Sequence, residues 1–213
     1  MESKLLSRRD LEFILYELLD VETLTGRQRY AEHSRETFDA ALATAAKIAT
    51  EKFAPHNRKA DENEPRFDGA RVSLIPEVKG ALATFCDAGF MAAAQDFESG
   101  GMQLPWTVAQ ACFAWFNAAN VSTAAYPFLT IANANLIRAF GSDAQQRGYL
   151  PSLMSGRFFG TMCLSEPQAG SSLSDIRTTA HPQPDGTYRI TGNKMWISGG
   201  EHELSENIVH LVL

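Results

Sequence analysis

A change of period at Arg157 constrains this chain more than any other feature. Upstream, apolar residues recur at helical spacing in alanine-rich stretches punctuated by Ser, Pro and Gly. Downstream, short apolar runs alternate with polar residues and are separated by turn pairs such as Asp185-Gly186 and Gly192-Asn193. Helices that precede strands without interleaving indicate an α+β architecture. The expected division is an N-terminal extension over residues 1–33, a helical domain over 34–157 and a partial β domain over 158–213.

Ser7 is placed to cap a first helix, with Asp10 three residues on. Leu11, Ile14, Leu15, Leu18 and Leu19 form an apolar stripe along it, which packs either on its own domain or on another subunit or segment. Ser34 caps a second helix with Phe38, Ala41, Leu42, Ala45, Ile48 and Ala49 on one face, and Pro55 stops it. Pro76 opens a third helix with Val78, Leu82 and Phe85 inward, and Gly89 ends it. Residues 90–105, with Gly100-Gly101 and Pro105, make no regular element. Thr107 is the expected cap of a fourth helix, and Pro127 the expected start of a fifth that runs to Phe140. Gly141-Ser142 closes that helix and caps the next. In the β part, residues 159–164, 194–198 and 208–213 read as strands, and Tyr188 and Ile190 alternate in one more.

Net charge is −6 with no run of Lys or Arg, which removes the electrostatic support that nucleic-acid binding needs. No stretch reaches the roughly 20 apolar residues of a membrane span. The N-terminus lacks the apolar core of a signal peptide. Cys86, Cys112 and Cys163 are widely spaced and read as free thiols in a reducing compartment, so a cytoplasmic protein is expected. The five histidines have no metal-ligand spacing, and no metal site is expected.

Two stretches carry candidate chemistry. In residues 165–172, Pro167 removes a backbone donor and Gly170 relaxes the backbone, so an ordered loop is expected. Its N–H groups and serine hydroxyls can hold a phosphate or a carbonyl oxygen. In Met195-Trp-Ile-Ser198, strand alternation puts Trp196 and Ser198 on one face and Ile197 on the other. An indole there can lie against a planar ring, and the hydroxyl can meet that ring's polar edge. Each stretch also has a plain reading, a β-to-loop turn and a core tryptophan.

Leu164-Ser-Glu-Pro-Gln-Ala-Gly-Ser171, followed by Gly192-Asn-Lys-Met-Trp-Ile-Ser198, resembles the flavin-binding signature of the acyl-CoA dehydrogenases in order and in gap. Ala88-Gly-Phe90 and Glu98-Ser-Gly-Gly101 resemble the loop before that family's acyl-CoA cavity. Tyr149-Leu-Pro-Ser-Leu-Met-Ser-Gly156 resembles the lead into its β domain. The opening, from Arg9 to Val21, is similar to the extra segment of the larger bacterial members, which include the 3-methylmercaptopropionyl-CoA dehydrogenase group. The resemblance spans this chain but only the front part of a family protein. It implies a helical domain followed by the start of an antiparallel β-barrel domain, with the chain truncated before the C-terminal helical domain. It also implies FAD, an acyl-CoA substrate, an electron-transferring flavoprotein as acceptor, and a homo-oligomer.

By that resemblance Met162, Cys163, Leu164 and Ser165 run along the flavin. Gly170 and Ser171 belong to the same surface, Ser171 at the flavin pyrophosphate or at the CoA portion of the substrate. Trp196 packs on the flavin face away from the substrate, Ile197 belongs to the same cofactor-binding set, and Ser198 stands near the ring's N5. The family's catalytic glutamate lies in the C-terminal domain, so no catalytic residue is expected here, and Glu166 is expected to anchor the loop. The isolated chain is expected to hold FAD weakly or not at all and not to desaturate acyl-CoA. Ser165 and Ser198 stand where threonine is common and keep the hydroxyl, and Ser172 stands for a frequent aspartate. Gln168 replaces a frequent glycine and brings a side chain beside the ligand loop. Two other readings are an acyl-CoA oxidase, which shares this region, and a non-catalytic module that pairs through its sheet edge and N-terminal helix.

Overall fold

Capped helices, each burying one face, build the first three quarters of the chain in the computed structural model, which describes residues 4–213. Helix α1 (Arg8–Glu12) starts at Ser7, whose hydroxyl accepts the Asp10 N–H at 3.2 Å. It continues as a wider turn over Phe13–Leu18. α2 (Arg35–Ile48) opens with a reciprocal cap, in which the side chains of Ser34 and Thr37 each take the other's backbone N–H. α3 (Asn57–Glu62) precedes a short hairpin, β1 (Arg66–Phe67) with β2 (Val72–Ser73). α4 (Pro76–Asp87) begins on its proline and ends at Gly89, whose φ of 80° suits glycine. α5 (Trp106–Phe140) crosses the whole region, and α6 (Asp143–Met154) follows a second capping box, Ser142 with Gln145.

α5 differs from the two helices expected. It starts at Trp106, not at Thr107, and is interrupted at Asn120, not at Pro127. Asn120 is extended (φ −166°, ψ 90°) and its Oδ1 accepts the Thr123 N–H at 3.1 Å, so it caps the second half. Its Nδ2 donates to the Phe53 carbonyl at 3.3 Å, a bond across the core. The core itself is aromatic. Phe116 is fully buried, with ring centroids 4.8 Å from Phe85, 5.0 Å from Phe53 and 5.3 Å from Phe90. The stripe expected on the first helix divides: Leu15 is buried, whereas Ile14, Leu18 and Leu19 are exposed.

The β part is fastened to α5. β3 (Phe158–Cys163) pairs with β6 (Asn207–Val212), with Thr161 opposite His210. The Gly160 N–H donates to Thr130 Oγ1 at 3.0 Å, and Asn133 Nδ2 donates to the Val209 carbonyl at 2.7 Å. Gly160 allows this approach, because a Cβ there would lie 2.6 Å from the Asn133 Cβ. β4 (Thr179–Pro182) and β5 (Tyr188–Thr191) form an exposed antiparallel hairpin turned at Asp185-Gly186, with Gly186 at φ 82°.

The α+β class and the helices-first order hold. The described strands do not close a barrel, and β3 and β6 run parallel, not antiparallel. A long excursion containing the β4–β5 hairpin separates them, which is what parallel neighbours require. Residues 194–198 are no strand. Trp196 takes φ 60°, a left-handed conformation that no strand continues through.

Candidate functional site

The loop after β3 is organised by one carboxylate. Glu166 is buried, and its side chain accepts five hydrogen bonds. The donors are Thr178 Oγ1 at 2.6 Å and Thr178 N–H at 3.0 Å, Arg177 N–H at 2.8 Å, Gln168 Nε2 at 2.6 Å and Lys194 Nζ at 2.9 Å. The Thr178 hydroxyl, then the Lys194 ammonium and the Arg177 amide, hold its pKa far below the usual carboxylate range. Its backbone closes the turn as well, exchanging hydrogen bonds with Ala169 at 2.7 and 3.1 Å. A carboxylate so occupied cannot take a proton from a substrate, so Glu166 is the loop's anchor and not a base.

The two motifs meet. The Met195 N–H donates to the Ser165 carbonyl at 3.0 Å, and Lys194 Nζ donates to the Leu164 carbonyl at 3.0 Å. Around this junction the surface is open. Trp196 is 83% exposed, and Met162 is the one exposed residue of β3 besides its half-buried first position. Gly170, Ser171 and Ser198 are exposed, and Leu164, Ser165 and Ile197 are half-buried. A Cβ on Gly170 would meet nothing within 4 Å. Among the described residues, the hydroxyls of Ser165, Ser171 and Ser198 and the amides of Gly170 and Ser171 have no hydrogen-bond partner. Free donors of this kind and an exposed indole are groups that a planar ring with an anionic tail would use.

Cys163 stands apart from this surface. Its thiol is buried and turned toward Thr161 Oγ1 at 3.6 Å and His210 Nδ1 at 3.9 Å. A separate concavity of about 640 Å³ lies between α1 and α2 over Leu42, Ala46 and Trp115, and no residue of the 164–171 or 192–198 stretches lines it. Sequence reasoning missed Lys194 and Thr178. The only sign of Lys194 was a cation in an otherwise apolar stretch, and Thr178 gave none.

The family model for the acyl-CoA dehydrogenase N-terminal domain matches residues 35–157, more than half of the chain. The chain belongs to the acyl-CoA dehydrogenase family. It is 42% identical over 205 residues to the 3-methylmercaptopropionyl-CoA dehydrogenase of Ruegeria pomeroyi, covering 96% of this chain and 35% of that protein. A butyryl-CoA dehydrogenase of Syntrophomonas wolfei is 32% identical over 218 residues, with 100% and 35% covered. The chain thus spans about a third of the length of these curated acyl-CoA dehydrogenases. Among solved structures, an acyl-CoA dehydrogenase from Bacillus anthracis complexed with FAD superposes with a TM-score of 0.68 at 21% identity, over 85% of this chain and 30% of that one. The butyryl-CoA dehydrogenase of Megasphaera elsdenii gives 0.66 at 23% identity, over 79% and 42%. At such identities these two likenesses speak for the acyl-CoA dehydrogenase fold alone. No helix among the described residues is long and apolar enough to cross a membrane.

Proposed function

We propose that this chain is the flavin-facing front part of an FAD-dependent acyl-CoA dehydrogenase, which desaturates an acyl-CoA thioester between its α and β carbons. One arrangement supports the reading: free donors at Ser165, Gly170, Ser171 and Ser198 lie on the two segments that Met195 and Lys194 join, and an exposed, left-handed Trp196 lies on the second of them. The flavin, when bound, supplies the acceptor for the β-hydride. In this reading Met162, Leu164 and Ser165 line one side of the ring, Trp196 and Ile197 flank it, and Ser198 bonds its polar edge. Cys163 contributes only as a wall behind the strand. Gly170 and Ser171 receive the pyrophosphate or the CoA portion of the substrate. No carboxylate of this chain acts as the base, and the electron acceptor is an electron-transferring flavoprotein. The three-part division at residues 33 and 157 and a homo-oligomeric whole belong to the same proposal.

The test uses the exposed indole. Stacking with flavin quenches tryptophan emission, and Trp106 and Trp115 lie in the helical part. Added FAD is expected to quench emission weakly but saturably, and Trp196→Phe to abolish that component. Equal quenching in Trp196→Phe would overturn the assignment. A second reading has its own observation. Leu18 is 65% exposed and Phe140 84%, so the N-terminal helix and the end of α5 carry apolar groups suited to a protein contact. Concentration-dependent assembly indifferent to FAD favours that interaction module, whereas assembly that needs FAD favours the enzyme.

A further inference from the structure

Where a strand was expected at residues 194–198, the chain makes only a brief attachment. Met195 gives one backbone bond to Ser165, and Trp196 then leaves the extended conformation. No other backbone bond joins 192–198 to 164–166 among the described residues. A sheet ladder would have fixed the tryptophan and the serine beyond it; here a side chain does that work. Lys194 is largely buried, and its ammonium bridges the Leu164 carbonyl and the Glu166 carboxylate at 3.0 and 2.9 Å. Bonds from a cation are short and strong, and two to separate acceptors define a position as well as a distance.

We propose that Lys194 is the positioning residue that sets Trp196 and Ser198 against Ser165, with Gln168 holding the far end of the loop from the same carboxylate. Gln168 Nε2 reaches Glu166 Oε2 at 2.6 Å and the Asp175 carbonyl at 3.2 Å, so it ties the turn at 166–169 to the short helical turn Leu173–Asp175. The side chain that departs from the family's frequent glycine folds back on the loop and stiffens it. Both motifs are therefore referred to Glu166: one through an ammonium, the other through a carboxamide. The proposal rests on the flavin reading for its purpose, but its geometry does not depend on that reading.

The experiment compares the full chain with Lys194→Met, Lys194→Arg, Gln168→Gly and the neutral pair Glu166→Gln/Lys194→Met, by residue-resolved amide hydrogen exchange and by FAD quenching of Trp196. In Lys194→Met the Met195 amide is expected to exchange about tenfold faster or more, because a charge-assisted anchor is lost. The β3 amides are expected to keep their protection, and the FAD concentration for half-quenching to rise by a similar factor. Lys194→Arg should restore both readouts, and Gln168→Gly should accelerate the amides of Asp175 and Ile176. An unchanged Met195 amide in Lys194→Met overturns the proposal. So does equal loosening of β3 and Met195, which would make Lys194 a general stabiliser. If Lys194→Met fails to fold, the neutral pair decides: Met195 fast and β3 slow supports the proposal, and Met195 still protected refutes it. Faster exchange with no FAD quenching in any variant, wild type included, supports the positioning role by geometry alone and gives the flavin reading no support from this chain.

Discussion

Replacing Gly160 by alanine tests whether the helical and β parts are held by close contact. The new Cβ would stand 2.6 Å from the Asn133 Cβ, 2.7 Å from its Nδ2 and 2.8 Å from its Cγ. Ordinary contacts begin near 3.4 Å, so α5 and β3 must separate by most of an ångström. Asn133 cannot swing clear, because it is 1% exposed and its Nδ2 is committed to Val209 at 2.7 Å. Overpacking of this kind costs about 1–3 kcal/mol. Stretching the Asn133–Val209 and Gly160–Thr130 bonds adds about 1 kcal/mol. The gain from removing a glycine from a strand returns about 0.5–1 kcal/mol. The expected net loss is therefore about 1–3 kcal/mol, read as a shifted urea midpoint, or a Tm lowered by about 3–10 °C. Asn133→Ala in the same chain removes the Cγ and Nδ2 contacts and leaves the Cβ contact, so it relieves part of the clash and the double variant loses less than the two single losses combined. A Gly160→Ala chain within about 0.5 kcal/mol of wild type, or strict additivity with Asn133→Ala, would refute the reasoning.

Three other outcomes follow from single groups. Asn120→Ala removes a cap and leaves the buried Phe53 carbonyl short of a donor, for an expected loss of about 2–4 kcal/mol by urea unfolding. His56 is buried, donates Nδ1–H to the Lys52 carbonyl at 2.8 Å and accepts the Thr123 hydroxyl at Nε2. Burial lowers its pKa, so the folded state binds fewer protons than the unfolded one. The stability it contributes is present above the ordinary histidine value of about 6.5 and is lost as pH falls below it. Tm should drop between about pH 7 and pH 5, and His56→Gln should flatten that part of the slope. Burial pushes the Cys112 thiol up to about 12, so a thiol reagent at about pH 8 should leave it unlabelled until denaturant is added.

What was legible in the sequence was local. The caps at Ser7, Ser34 and Ser142 each need only a side chain and an amide three residues away, and the Asp185-Gly186 turn needs only itself. Where distant groups decide, the pattern misled. Asn120 breaks α5 because its amide reaches Phe53, whereas Pro127 has the stronger local signal and is absorbed into the helix. Met195-Trp-Ile-Ser198 alternates like a strand, yet the attachments of Lys194 and Met195 to the 164–166 turn leave Trp196 at φ 60°. Parallel pairing of β3 with β6 is likewise a long-range choice that no short window records. At the site, the loop and its anchoring carboxylate could be read from Pro167, Gly170 and Glu166. The cation that joins it to the second motif could not, because its two acceptors lie some thirty residues upstream.

The β3–β6 pair has a consequence for how the molecule matures. Residues 164–206 form one closed excursion between those two strands, tied also to the β1–β2 hairpin through Arg71–Glu203 and Val72–Glu201, and both motifs proposed for the flavin lie on it. Closing a long excursion is entropically uphill until the strands zip together, and such non-local pairings form slowly. The helices can assemble from neighbours in sequence, so the surface proposed for the flavin ring is expected to be the last territory to take shape during synthesis. Any lesion that delays β6 from docking leaves a well-formed helical body without the surface proposed for the flavin.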